Sequence, residues 1–122
     1  MPRTDEQKRA KKAWDCVSPL RGTEPASDYL TPVRKFPVMV LTNGLGQSLA
    51  FLRAKEKDNN AHQKLSGHLS SWVLEQIPSH HSTELLKCII NEEGEWYRRA
   101  TAETLAFTGW LKRFAEAELS ED

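Results

Sequence analysis

The sequence predicts an all-α protein, a compact bundle of five to six helices with no sheet. Apolar residues recur at spacings of three and four along most of the chain, the period that gives a helix one buried face. The one hairpin signal, Asn43-Gly44, has no partner strands elsewhere in the chain. The 122 residues are predicted to form a single all-helical domain, residues 1–122, which buries roughly two thirds of its unfolded surface without disulfides or metals.

The first predicted helix begins at a capping box. In this motif the side chain of the N-cap residue, Thr4, accepts the backbone N–H of Gln7, and the Gln7 side chain accepts the backbone N–H of Thr4. It runs to about Val17 and stops before Pro19. Its expected inward positions are Ala10, Ala13, Trp14 and Val17. Its other side carries the cations Lys8, Arg9, Lys11 and Lys12. A loop over residues 21–26 follows, because Gly22 and Pro25 interrupt the helical pattern.

Two prolines complicate the next segment. A short helix is expected over Ser27–Lys35, disturbed by Pro32, which removes a backbone hydrogen bond. Pro37 suits the first turn of a second helix, where its missing N–H is not needed. Arg34 and Lys35 are therefore expected at the junction between the two helices.

The segment over residues 36–57 (FPVMVLTNGLGQSLAFLRAKEK) has two interpretations. Asn43-Gly44 between apolar runs is a strong signal for a β-hairpin. At helical period, however, the same residues form one apolar ridge: Val38, Leu41, Leu45, Leu49 and Leu52. Two glycines inside a helix cost about 1 kcal/mol each, whereas each buried leucine contributes about 1.5–3 kcal/mol. One continuous buried helix is therefore favoured over the hairpin.

A stripe of small residues lies beside this ridge, at Thr42, Gly46 and Ala50. Small side chains allow another helix to approach closely, so we expect both glycines at helix contacts instead of turns. The expected neighbour is the last helix, near Phe107 and Trp110.

The second half of the chain predicts three more helices. Asp58-Asn59-Asn60 breaks the chain and caps a helix over Ala61–Ile77, which Pro78 ends. A short helix starting at Ser82 or Thr83 continues to Ile90. The last and longest helix, from Glu95 to about Leu119, carries a seam suited to packing along another helix. The seam positions are Tyr97, Ala100, Thr104, Phe107, Leu111 and Phe114.

The formal net charge is zero, but the charges are unevenly distributed. Residues 1–64 hold 12 Lys and Arg against 7 Asp and Glu, a net +5, whereas residues 65–122 hold 5 against 10, a net −5. A neutral total therefore does not exclude a basic face. Solvated charges on helix surfaces would give the same pattern.

The sequence contains no motif for catalysis, a cofactor or a metal. Cys16 and Cys88 have no second cysteine at metal-binding spacing, and no two of the four histidines form an i, i+4 pair, so loop or surface histidines are expected. Gly44-Leu45-Gly46 lacks the further residues of a nucleotide-binding loop. No apolar run approaches 18 residues and the first residues are charged, so a cytoplasmic location is expected and no membrane association. An enzyme is the weaker hypothesis.

Three segments resemble one known family. RAKKAWDCV (residues 9–17) is similar to its first helix, and LTNGLGQSLAFLRAK (41–55), after a Phe-Pro, and EWYRRATAETLAFTGWLKRFAEA (95–117) are similar to its two signature segments. They occur in the same order and span the chain nearly end to end, although residues 57–93 offer little to compare. The chain thus resembles the Cmr small-subunit family, from type III-B CRISPR RNA-guided effector complexes.

The resemblance implies a compact all-helical protein with no catalytic activity of its own. In that family, small subunits stack head to tail beside the backbone subunits that hold the CRISPR RNA, with the large polymerase-like subunit at one end. Target RNA pairs with the guide between the two filaments, and basic residues of the small subunits contact its sugar-phosphate backbone. The implied partners are therefore these subunits, neighbouring copies of the chain, and the CRISPR RNA–target RNA duplex.

The residues expected to contact RNA are exposed cations on four of the predicted helices. They are Lys8, Lys12, Arg34, Lys35, Arg53, Lys55, Arg98, Arg99, Lys112 and Arg113. Such contacts need positive charge but no base recognition, because guide pairing supplies the sequence. Some of these cations must instead serve subunit contacts. The alternatives are an assembly subunit that never touches nucleic acid and a free-standing helical enzyme.

Overall fold

A computed structural model describes residues 2–119, which form six helices and no strand. The helices are α1 Asp5–Val17, α2 Ala26–Asn43, α3 Leu45–Lys55, α4 Ala61–Gln76, α5 Leu85–Ile89 and α6 Gly94–Glu118. A single 3₁₀ turn, Ser18–Leu20, follows α1. The all-α prediction is confirmed. None of these helices is both long and apolar enough to cross a membrane.

The longest helix, α6, is the centre of the packing. It lies against α1, α2 and α4, while α3 packs on α2 and α4 and contacts α5. The predicted seam is confirmed, because Ala100, Thr104, Phe107 and Leu111 are all buried. Phe107 stacks on Trp72 of α4, with ring centroids 5.6 Å apart. One contiguous core, to which α5 contributes Leu85 and Ile89, therefore connects all six helices.

The first helix has the predicted bounds and capping box. The Gln7 backbone N–H donates to Thr4 Oγ1 at 3.1 Å, and the Thr4 N–H donates to Gln7 Oε1 at 2.9 Å. Trp14 was expected inward, but 41% of its surface is exposed. Its ring instead meets the edge of Phe114 on α6, at a centroid distance of 5.4 Å.

The predicted division of the chain between two helices at Lys35 is wrong. Helix α2 runs unbroken through Pro32 and Pro37, and Arg34 and Lys35 lie within it. Each proline removes one backbone hydrogen bond from the helix interior. Burial of large side chains on the same helix offsets that loss, since Tyr29, Val33, Phe36 and Val40 are almost fully buried.

The single long helix over residues 36–57 is also wrong, and so is the hairpin. Gly44 adopts φ 89° and ψ 160°, a region that essentially only glycine occupies, and this separates α2 from α3. The Gly46 N–H donates to the Tyr97 hydroxyl at 3.1 Å, and a Cβ on Gly44 would lie 3.2 Å from the same hydroxyl. Gly44 is thus a turn residue, contrary to expectation, although it also lies close to α6, and Gly46 lies at a contact with α6 as expected.

The turn at Gly44 changes which residues are buried. Leu45, Leu49 and Leu52 are buried as predicted, but Val38 is 64% and Leu41 74% exposed. The other members of the predicted stripe, Thr42 and Ala50, are exposed too. Trp110, expected beside this stripe, faces α1, where its indole N–H donates to Glu6 at 3.1 Å.

Helix α4 is as predicted and is capped by Asn60, whose side chain accepts the Gln63 N–H at 2.9 Å. The short helix α5 begins at Leu85, later than expected, because the Ser82 side chain accepts the Glu84 N–H in a local turn. Ile90 lies beyond its end and is 72% exposed.

Candidate nucleic-acid interface

The charge asymmetry between the two halves of the chain is partly neutralised inside the folded molecule. Four cations from residues 1–64 pair with carboxylates from residues 65–119. The pairs are Arg9–Glu103 at 2.6 Å, Arg53–Glu84 at 2.9 Å, Arg34–Glu116 at 3.0 Å and Arg21–Glu118 at 3.5 Å. Much of the acidic charge on α6 therefore lies against the basic N-terminal half.

The most enclosed of these ion pairs, Arg9–Glu103, is part of a larger hydrogen-bond network. Glu103, whose side chain is 11% exposed, accepts two hydrogen bonds from Arg9 and one from the Trp72 indole at 2.9 Å. Burial acts to raise the pKa of Glu103, but these hydrogen bonds outweigh it and hold the pKa below its usual value. The same contact raises the pKa of Arg9. Both groups therefore stay charged, and the network joins α1, α4 and α6.

Four of the ten candidate cations already have partners within the described residues. Arg34 pairs with Glu116 and Arg53 with Glu84. Arg98 contacts Glu95 one turn earlier at 2.8 Å, and the Lys12 ammonium donates to the Ser71 hydroxyl at 3.0 Å. An RNA phosphate would have to compete for these groups.

The other six candidates have no carboxylate of residues 2–119 within 4 Å. They are Lys8, Lys35, Lys55, Arg99, Lys112 and Arg113. Lys112 is half-buried and the rest are exposed. Such cations can neutralise phosphates without losing an internal ion pair.

The structure brings two of these cations to one groove. Lys35 of α2 and Lys55 of α3 line a groove of about 440 Å³ between α2, α3 and the start of α4, called here the α2–α3 groove. Lys57 lies in an adjoining depression that shares Lys55 and His62 with it. The other eight candidates lie on α1, α2, α3 and α6.

Sequence reasoning missed three side chains at this groove: Phe51, Lys57 and His62. Phe51 is 42% exposed, and the Lys55 ammonium lies 5.3 Å from its ring centroid. The i, i+4 spacing of Phe51 and Lys55 was a usable signal, because residues at that spacing meet on one helix face. It was overlooked because Phe51 belonged to a segment assigned to the core.

His68 corrects the expectation of loop or surface histidines. It is hydrogen-bonded through Nδ1 to the Tyr29 hydroxyl at 2.8 Å, in the contact between α2 and α4. Burial lowers the pKa of His68 to about 4, and the charges of Lys64 and Lys12 act in the same direction. His68 is therefore neutral near pH 7.

No group of three or more His, Cys, Asp or Glu within residues 2–119 is arranged to hold a metal ion. Both cysteines are buried free thiols. Burial raises the pKa of the Cys16 thiol to about 11, which disfavours a reactive thiolate.

Comparison with known proteins gives consistent matches over nearly the whole chain. Residues 5–118 match the family model for CRISPR-associated protein (Cas_Cmr5). A curated relative from Thermus thermophilus, named CRISPR system Cmr subunit Cmr5, is 34% identical over 120 residues, covering 98% of this chain and 99% of its own. A crystal structure of a CRISPR-associated Cmr5 family protein from the same organism superposes with a TM-score of 0.81 at 31% identity. It covers 98% of this chain and 100% of that one.

Proposed function

Because the chain belongs to the CRISPR-associated Cas_Cmr5 family, the small-subunit family of the type III-B Cmr complex, we propose that it is a non-catalytic subunit that stacks in a filament and contacts guide-paired target RNA. The other Cmr subunits are its partners. The proposal further assigns neighbouring copies of the chain and the CRISPR RNA–target RNA duplex as partners, in the cytoplasm of a prokaryotic cell.

The observation that supports RNA contact is a set of exposed cations that have no ion-pair partner among residues 2–119. A cation already in an ion pair must lose that pair before it binds a phosphate, whereas Lys8, Lys35, Lys55, Arg99 and Arg113 need not. Contacts from these cations to phosphates do not require recognition of the bases, which suits a subunit whose target is selected by guide pairing.

A titration with single-stranded RNA tests the proposal on the isolated chain. Binding should be weak and independent of sequence, and its affinity should fall with salt by about 0.7 log units per log unit of salt for each phosphate contacted. A double variant, Lys35→Gln with Lys55→Gln, should bind more weakly and with a shallower salt slope.

The matched control removes the same charge elsewhere. Lys11 and Lys87 are exposed lysines outside the candidate set, each paired with a carboxylate on its own helix or beside it. Lys11→Gln with Lys87→Gln should bind RNA like the unaltered chain. If both double variants lose affinity equally, net charge alone explains binding and the assignment of the contact residues fails.

An assembly subunit that never touches nucleic acid is the second candidate. Exposed apolar side chains on α2 favour it, because Val38 and Leu41 are more than half exposed beside each other on one helix. Crosslinking of target RNA within the assembled complex separates the two functions. An adduct on this chain supports RNA contact, whereas adducts on other subunits alone support pure assembly.

A further inference from the structure

The α2–α3 groove combines an aromatic surface with positive charge. Its floor is apolar, since Phe36 and Leu52 are each only 1% exposed. Phe51 forms part of the wall and leaves 42% of its surface open. Lys35 and Lys55 lie on either side, one on α2 and the other on α3.

We propose that this groove holds an unpaired nucleobase of single-stranded RNA, stacked on Phe51, with the flanking phosphates against Lys35 and Lys55. The inference rests on the proposed function, because it assigns one subsite within the RNA-contacting surface. It adds a contact to a base where the proposed function requires only contacts to the backbone.

The aromatic ring is available to a base. In the free protein the Lys55 ammonium lies 5.3 Å from the Phe51 ring centroid, an attraction that at an exposed site contributes about a 2- to 5-fold preference. Stacking of one base on an aromatic side chain contributes about 5- to 150-fold in affinity. A base therefore displaces the ammonium, which is then free to pair with a phosphate.

Charge and size both match this occupant. Two lysines line the groove against a single carboxylate, Asp28, and Lys57 adds a third cation in the adjoining depression. A volume of about 440 Å³ lies within the range of sites for small ligands. A base that is paired within a duplex presents no free face for stacking, so the occupant must be unpaired.

Two short single-stranded oligonucleotides test the inference with the full chain. One is a hexanucleotide with all its bases, and the other has the same phosphates but abasic sugars at its central positions. Fluorescence anisotropy at low salt should show about 5- to 150-fold tighter binding of the first. Phe51→Leu retains an apolar side chain but removes the ring, so it should abolish most of that ratio while leaving the affinity for the abasic strand unchanged.

A measurement on the unaltered protein supports the comparison independently of any variant. Met39, half-buried in the groove, is the only methionine besides Met1. Its methyl NMR signal should shift with the base-containing strand, because a stacked base exerts a ring current, and should shift much less with the abasic strand.

The outcomes separate this inference from the proposed function. If both strands bind the unaltered protein equally, or if Phe51→Leu preserves the ratio between them, the groove does not hold a base while backbone contact stands. If neither strand binds at low salt, RNA contact itself fails and this inference fails with it. If the ratio is present but the Met39 signal does not respond, the base binds elsewhere and the assignment to this groove is overturned.

Discussion

Acidification from about pH 7.5 to about pH 5 is expected to lower the free energy of unfolding by about 2 kcal/mol through His68 alone. The folded protein holds the pKa of His68 at about 4, compared with 6.5 for the exposed side chain. The unfolded chain therefore takes up a proton first. The stabilisation is complete above pH 6.5 and is lost as the pH falls toward the folded pKa, to a limit of about 3 kcal/mol.

The groups that face His68 support this assignment. Tyr29 of α2 is hydrogen-bonded to it, and burial keeps the pKa of that hydroxyl well above its usual value, so it does not ionise in this range. The positive charges of Lys64 and Lys12 oppose a positive charge on the imidazole. The carboxylate of Glu103 also stabilises the fold, but its own protonation affects stability mainly below about pH 4.5.

Urea unfolding at several pH values, followed by far-UV circular dichroism, measures this effect. His68→Asn is the matched variant, because asparagine keeps a polar partner for Tyr29 and does not titrate. Its stability should change by less than about 0.5 kcal/mol over the same pH interval, whereas His62→Asn should behave like the unaltered chain. Equal pH dependence in His68→Asn and the unaltered protein would refute the reasoning, since another group would then be responsible.

Three further changes have expected outcomes. Gly44→Ala should destabilise the fold by about 1–3 kcal/mol, because its backbone conformation is essentially restricted to glycine. Gly67→Ala in α4, where the added methyl would meet no side chain and no other helix within 4 Å, should stabilise the fold by about 0.5–1 kcal/mol. Similar values for the two variants in urea unfolding would contradict the role of Gly44. Glu103→Gln should cost about 1–3 kcal/mol and exposed Glu75→Gln almost nothing, and equal losses would show that the network with Arg9 contributes little. Cys16 should react with a thiol reagent at about pH 8 only as fast as the protein opens, and rapid labelling of the folded chain would contradict the burial of this thiol.

The sequence predicted the helices whose signals are local. The capping box at Thr4 and the Asn60 cap each depend on residues within one turn, and both are present in the structure. The seam of α6 was also predictable, because a 25-residue helix with a regular apolar stripe has few alternatives. Its place at the centre of the packing follows from that stripe.

The prediction of one continuous helix through Gly44 was wrong because local energies do not determine whether the helix continues or the chain turns there. A glycine costs a helix about 1 kcal/mol, so the leucine ridge favoured continuity. The stabilising contact, Gly46 N–H to the Tyr97 hydroxyl, comes from 51 residues further along the chain. The pattern of residues 36–57 contains no information about that partner.

The candidate site was predictable as a list of cations but not as a surface. Sequence position does not reveal that Arg34 and Arg53 pair with Glu116 and Glu84, because these contacts join distant segments. Nor does it reveal that Lys35 and Lys55 line the same groove, since this depends on the turn at Gly44 that folds α3 back against α2. The ionic partners and the groove both required the tertiary structure.

The hydrogen bond between the Gly46 amide and the Tyr97 hydroxyl couples local unfolding of two helices. The corner between α2 and α3 bonds to the first turns of α6, so local unfolding of that end of α6 releases the Gly46 amide and one support of the groove wall. In hydrogen exchange, the Gly46 amide and the amides of the first turns of α6 should therefore exchange as one cooperative unit. Access to the α2–α3 groove would then be coupled to the fraying of a helix terminus distant from it in sequence.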